Sequence, residues 1–163
     1  MQSLDFHGLT MCLRKATLAA GTTTTFSTTN ATEYAINGKI YSTAAAANAA
    51  TPTLDGNTGK AFVAVAPNKG SVFVFAYDGQ AAAANAIKVY QGTIEDLDSD
   101  ANFVKPPQMP QTPDTVCPFA YMVLKAGSTA SNWTFGVSNQ ASATGITYLR
   151  QDVANLPTRP QIS

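Results

Sequence analysis

The chain has 163 residues, with ten basic and ten acidic side chains, one histidine and two cysteines. Charged residues make up 12%, about half the roughly 25% usual in soluble globular domains, and no apolar run nears the roughly 20 residues that span a bilayer. Phosphate binding needs clustered Lys and Arg, so the neutral balance argues against nucleic acid as a partner; a weakly self-repelling surface rich in Thr, Ser, Asn and Ala favours contact with other protein.

The length suits one domain with arms. Residues 1–11 show little periodicity and read as an N-terminal arm; 12–155 read as a single β domain and 156–163 as an extended C-terminal tail. Met1-Gln2-Ser3-Leu4-Asp5-Phe6 lacks a basic segment followed by an apolar run, so synthesis in a cytoplasm without a secretory signal is expected. Cys12 and Cys117, far apart in sequence, could form one bridge, but in a reducing compartment two free, buried thiols are expected.

Cys12 to Ala20 alternates loosely and fits a first strand or a short helix. Thr22 to Thr28 is β-branched and suits an exposed or edge strand. Asn37-Gly38 lies between two alternating runs, Tyr34 to Ile36 and Lys39 to Tyr41, and Asn-Gly is a strong hairpin signal because both turn residues must reach positive φ. Ser42 to Ala50 reads as a short Ala-rich helix, capped by Ser42 or Thr43 and stopped by Pro52. Its alanine run recurs at Ala81 to Ala86, but the flanks do not match, so the repeat is compositional.

Leu54 to Gly59 is a turn-rich loop. Ala61 to Ala66 and Ser71 to Tyr77 read as paired strands joined by the four-residue loop Pro67-Asn68-Lys69-Gly70. Ile87 to Gln91 alternates cleanly. Residues 105–118 hold five of the nine prolines, which predicts an extended crossing segment and not a strand, since proline cannot donate to a ladder. Phe119 to Lys125, Trp133 to Val137 and Ile146 to Leu149 supply three further strands. Roughly seven to nine short strands at this spacing predict an all-β, antiparallel sandwich or jelly-roll-like barrel with one short helix and two extended arms.

Chemistry-bearing patterns are scarce. His7 is the only histidine, so a zinc-ligand set or a nucleophile–histidine arrangement has no second imidazole to draw on. No nucleophile elbow, phosphate-cradling loop or dinucleotide fingerprint occurs. Asp96, Asp98 and Asp100 match the first ligand positions of a calcium loop, but Ala101 stands where the turn needs glycine and Pro107 where a bidentate glutamate belongs. A solvated acidic turn is the better reading. Asn30-Ala31-Thr32 and Asn132-Trp133-Thr134 match glycosylation acceptors, which arise by chance in a chain of this composition. Phe62, Phe73, Phe75, Tyr77, Tyr90, Phe119, Tyr121, Trp133 and Phe135 fall at strand spacing and are expected in the core. Among them Trp133, beside Ser131 and Asn132, is also a candidate for stacking on a ligand or anchoring an interface. These readings predict no enzyme, no cofactor and no metal site.

Several stretches resemble segments of structural proteins of tailed-phage virions: Tyr34 to Ser42 continuing to Pro52, Gly70 to Phe75, Trp133 to Gly136, and the closing Leu156 to Gln161. They cover less than half the chain. Among virion parts, size and low charge make it similar to capsid decoration (cement) proteins or the base of head fibres. That resemblance implies a small β domain on the outer capsid surface, as a homo-oligomer (dimer or trimer), bridging subunits of the major capsid protein without nucleic acid or membrane contact. The arms are the expected clamps, through Met1, Leu4, Phe6 and His7 at one end and Leu156, Pro157, Arg159 and Pro160 at the other. The alternative is a tail-associated adhesion module gripping a host receptor or glycan through Trp133.

Overall fold

Ten strands follow one another along the chain, and no helix interrupts them among the residues described. The computed structural model describes residues 8–79 and 87–162. The strands are β1 (Met11–Cys12), β2 (Leu18–Ala20), β3 (Thr25–Thr28), β4 (Thr32–Ile36), β5 (Lys39–Thr43), β6 (Ala46–Ala50), β7 (Lys69–Asp78), β8 (Ile87–Asp96), β9 (Val116–Ala126) and β10 (Ile146–Asp152). They form three antiparallel sheets, ordered β10-β9-β7-β8, β1-β4-β5 and β2-β3-β6, and none closes into a barrel.

The four-stranded sheet is central because its inner strands are apolar on both faces. Along β7, Phe73, Phe75 and Tyr77 point into one cluster with Phe26, Leu18, Tyr34 and Ile36 of the smaller sheets. Val72, Val74 and Ala76 point the other way, against Phe103, Met109, Leu149, Val153, Leu156 and Ile162. The two smaller sheets therefore cover one face, and the Pro-rich crossing and the C-terminal tail cover the other.

Two bulges adjust which residues reach which face. Phe75 pairs with Ala120 and Ala76 with Pro118, so β9 carries an extra residue at Phe119. A one-residue bulge switches side-chain parity, and so Phe119 and Ala120 both enter the aromatic cluster. Pro118, which has no N–H for the ladder, is accommodated beside this irregularity. On β8 a second bulge between the Ser71 and Phe73 pairings falls around Gly92. A Cβ at Gly92 would sit 2.2 Å from the Gln108 carbonyl oxygen, which is why glycine is needed where the crossing segment presses on the sheet.

The Asn37-Gly38 turn forms as its sequence predicts: Asn37 has φ +49° and Gly38 φ +80°, and Ile36 pairs with Lys39 across a two-residue loop. The arm upstream docks on it, with the Gly38 N–H donating to the Leu9 carbonyl at 2.9 Å and the Asn37 N–H to Thr10 Oγ1 at 3.1 Å.

Five expectations are corrected. Ser42 to Ala50 is not a helix: it divides between β5 and β6. Two turns of alanine are marginal alone, and β3 offers partners instead. Ala46 N–H donates to Thr28 Oγ1 and Asn48 N–H to Ser27 Oγ, while Asn48 takes φ +50° and its side chain accepts from Thr22 N–H. Ala61 to Ala66 makes only isolated bridges, Leu54 to Ala61 and Val65 to Trp133, because β8 and β9 already occupy both edges of β7. Trp133 to Val137 likewise bridges once and then turns, with Gly136 at φ +74°. Thr22 to Thr28 contributes only Thr25–Thr28, and β3 is the middle strand of its sheet, with Phe26 buried. Within 105–118, Val116 to Pro118 belong to β9. The second alanine run, Ala81 to Ala86, lies outside the described residues.

The hairpin geometry makes a direct prediction. A β-branched side chain at Gly38 is strained at φ +80°, so Gly38→Val should destabilise the fold by about 1–2 kcal/mol. Urea unfolding should show a lower midpoint with an unchanged slope; an unchanged midpoint would contradict the turn assignment.

Candidate functional site

Two irregular segments, residues 51–67 and 131–138, are bridged by Val65 and Trp133 over the aromatic core. They carry Leu54, Val63 and Val137, three of the six exposed large apolar side chains among the described residues; the others are Leu13, Ile40 and Val104. Asp55 organises the first. Its carboxylate accepts from Asn57 N–H, Thr58 Oγ1–H and Gln91 N–H, and its own N–H donates to Lys60 O at 2.8 Å, closing a tight turn. Gly56 N–H donates to Val89 O at 2.8 Å and fastens that turn to β8. The Gln91 amide then grips Val63 twice, accepting its N–H at 2.8 Å and donating to its carbonyl at 2.9 Å. Val65 and Trp133 exchange both backbone hydrogen bonds, at 2.8 and 3.0 Å.

With the backbone held this way, Phe62, Val65, Trp133 and Phe135 turn inward. Leu54, Val63 and Val137 turn outward and are 53%, 64% and 68% exposed. Leu54 faces Ala61 across the bridge, Val63 lies two residues on, and Gly136, which precedes Val137, sits against Pro52 and Thr53. Large apolar side chains exposed on hydrogen-bonded backbone are suited to contact with another protein. The sequence reading missed these three residues. The signal was available in the alternation of Phe62 and Val63, where a buried aromatic implies an outward neighbour.

The residues singled out from sequence are placed as follows. Trp133 is 1% exposed and donates Nε1–H to Asn139 O at 3.0 Å and to Tyr148 Oη at 3.1 Å. It packs against Phe73, Phe135 and Tyr148, so its indole offers no stacking face. The other eight aromatics expected in the core are all buried. Leu156 packs on the central sheet, Pro160 is buried, and Gln161 N–H donates to Tyr121 Oη at 2.8 Å. The tail is thus spent largely on its own fold, and Pro157 and Arg159 are the members of the tail set left exposed. Arg159 and Lys105 flank a groove of about 420 Å³ between tail and crossing segment. Met1, Leu4, Phe6 and His7 lie outside the described residues.

The acidic stretch is a turn. Asp98 Oδ1 accepts from Asp100 and Asn102 N–H, Ala101 takes φ +59°, and Asp96 pairs with Lys69. Among the described residues no group of three or more His, Cys, Asp or Glu side chains is arranged to hold a metal ion.

Burial shifts several ionisable groups in the core. Burial pushes the Tyr77 phenol up to about 12, against the opposing effect of its hydrogen bond to Thr32. Burial does the same to Tyr90 and to the Cys117 thiol, both to about 12. Burial also lowers Arg150, whose guanidinium donates to Gln140 O at 2.6 Å. Tyr77, Tyr90 and Cys117 are thus far from the neutral range that proton transfer uses.

No protein-family model matches the chain, and neither the curated proteins nor the solved structures compared with it include a similar one.

The buried tyrosines and Cys117 should weaken the fold at alkaline pH. Their folded pKa values lie above the unfolded ones, 10.0 for tyrosine and 9.0 for the thiol, so unfolding releases protons at high pH. The stability they contribute should be complete below about pH 9 and fall by roughly a few kcal/mol as pH rises toward 12. Urea unfolding across pH 7 to 12 measures it; a flat profile would contradict their burial.

Proposed function

We propose that this chain is a non-enzymatic virion structural protein that binds the outside of a tailed-phage capsid and bridges subunits of the major capsid protein. The observation that carries a protein-binding role is the exposure of Leu54, Val63 and Val137 on two segments that are hydrogen-bonded together. Exposed apolar side chains of this kind are the material from which interface cores are built. The phage assignment rests on the sequence resemblances, which include the Asn37-Gly38 hairpin and the Leu156 to Gln161 tail. The layered antiparallel sheets are read here as a sandwich of jelly-roll-like type.

The mechanism is mechanical. A stable interface buries about 1,200–2,000 Å² in total, more than three side chains supply, so the exposed part of the tail, Pro157 and Arg159, and self-association into a dimer or trimer extend it. Binding that occurs only to the assembled shell stabilises that shell by mass action. Pressure from packaged DNA then works against added interface area rather than against capsomer contacts alone.

The test is co-sedimentation of the purified protein with matching undecorated capsids. Wild-type protein should saturate at a stoichiometry that matches the capsomers of the shell. Val63→Asp with Val137→Asp changes two exposed positions, so the fold should survive while a charge enters the desolvated contact. Binding should weaken by about tenfold or more, equivalent to about 1.4 kcal/mol. Undiminished binding by the double variant would overturn the surface assignment, and no binding by the wild type would overturn the capsid role.

A further inference from the structure

The two cysteines, distant in sequence, occupy facing rows of the two sheets that enclose the aromatic core. Cys12 on β1 pairs with Tyr34 on β4, and Cys117 on β9 pairs with Tyr77 on β7. Directly opposed residues of an antiparallel pair project to the same face, so each thiol lies beside its tyrosine. Those tyrosines stack on each other across the sheets, ring centroids 4.6 Å apart and planes 15° from parallel. β1 also packs on β9, with Cα atoms of the two strands within 8 Å, closer than the roughly 10 Å usual between facing sheets. Both thiols belong to one buried cluster.

Both are free thiols. Cys12 Sγ–H donates to the Arg14 carbonyl at 3.1 Å, and Cys117 Sγ–H donates to the Pro118 carbonyl at 3.7 Å. Their access differs. Cys117 is 0% exposed, whereas Cys12 is 5% exposed and lines a surface groove of about 260 Å³ with Lys15, Asp152 and Val153. A small reagent therefore reaches Cys12 first.

We propose that Cys12 and Cys117 are a redox-closable pair, joined by a small-molecule disulfide into a cross-link between β1 and β9. Cys12 loses its proton and attacks one sulfur of the oxidant; that S–S bond breaks and one small thiol leaves, taking up a proton. Cys117 then loses its proton and attacks Cys12 Sγ, expelling the second small thiol, which is likewise protonated. Two protein thiols are oxidised and one disulfide is reduced to two thiols. A protein disulfide needs Cα atoms about 4.4–6.8 Å apart, and β1, a strand of two residues, is the partner short enough to settle onto β9. Burial raises both thiols above their usual range, so closure is slow at neutral pH and quickens as pH rises. The chemistry does not depend on the capsid reading. On that reading the bond closes after the particle leaves the reducing cytoplasm.

The experiment treats the reduced full-length chain with oxidised glutathione and follows intact mass, peptide map and thermal melting. Closure should appear as loss of two hydrogens with no adduct, as a cross-linked peptide pair containing Cys12 and Cys117, and as unchanged monomer mobility without reductant. Constraining a loop of roughly 100 residues should raise the melting temperature by about 10 °C. Cys117→Ser should stall as a glutathione adduct on Cys12, and Cys12→Ser should stay unmodified. In the wild-type chain, a persistent adduct, intermolecular dimers, absence of reaction, or closure that lowers the melting temperature would each overturn the proposal.

Discussion

A sheet whose central strands are apolar on both faces has to be covered twice, and most of this fold follows from that requirement. Along β7, Val72 to Tyr77 are buried without a polar break, and β9 is nearly as continuous. Runs of this kind are familiar from sheets with helices on both sides. Here the chain has no helix among its described residues, and it solves the problem with two unlike layers. One combines the sheets β1-β4-β5 and β2-β3-β6 with the irregular segments 51–67 and 131–138. The other is the crossing segment and tail, which reach the sheet through Phe103, Met109, Leu156 and Ile162.

Irregular chain can serve as a layer only if its backbone groups find partners. That demand explains why polar side chains sit where they do. Gln91 satisfies both backbone groups of Val63, Asp55 ties a turn to β8, and Tyr121 accepts the Gln161 N–H. The same bonds set which side chains face outward. Leu54 and Val63 are exposed because their neighbours Asp55 and Phe62 are committed inward, and Val137 because the chain turns at Gly136. These exposed side chains are thus a by-product of how the core is closed.

What the sequence revealed depended on whether the controlling interaction was local. The Asn37-Gly38 turn was legible because its two positive φ angles are a property of the dipeptide. The buried aromatics were legible from alternation alone. Ser42 to Ala50 misled because alanine favours a helix only where nothing better competes, and the competing partner, β3, is contributed by Thr25–Thr28 well upstream. Ala61 to Ala66 and Trp133 to Val137 read as strands for an analogous reason. Trp133 and Phe135 do alternate into the core, while Phe62 and Val65 are buried three residues apart, which is not a strand period; pairing also needs a free edge, and both edges of β7 are taken. Trp133 suggested a ligand shelf because nearby Ser131 and Asn132 are polar; its burial is set by Phe73, Phe135 and Tyr148, which no short window of sequence brings together.

The doubly covered sheet is best tested by native-state hydrogen exchange resolved to single amides. If β7 and β9 are the constraint on which the other layers depend, amides from Val72 to Phe75 and from Tyr121 to Leu124 should exchange only through global unfolding. Those of β2, β3 and β6 should open locally at lower free energy. Exchange from β7 as fast as from β6 would contradict the account, because it would mean that the central sheet opens without first losing the layers that cover it.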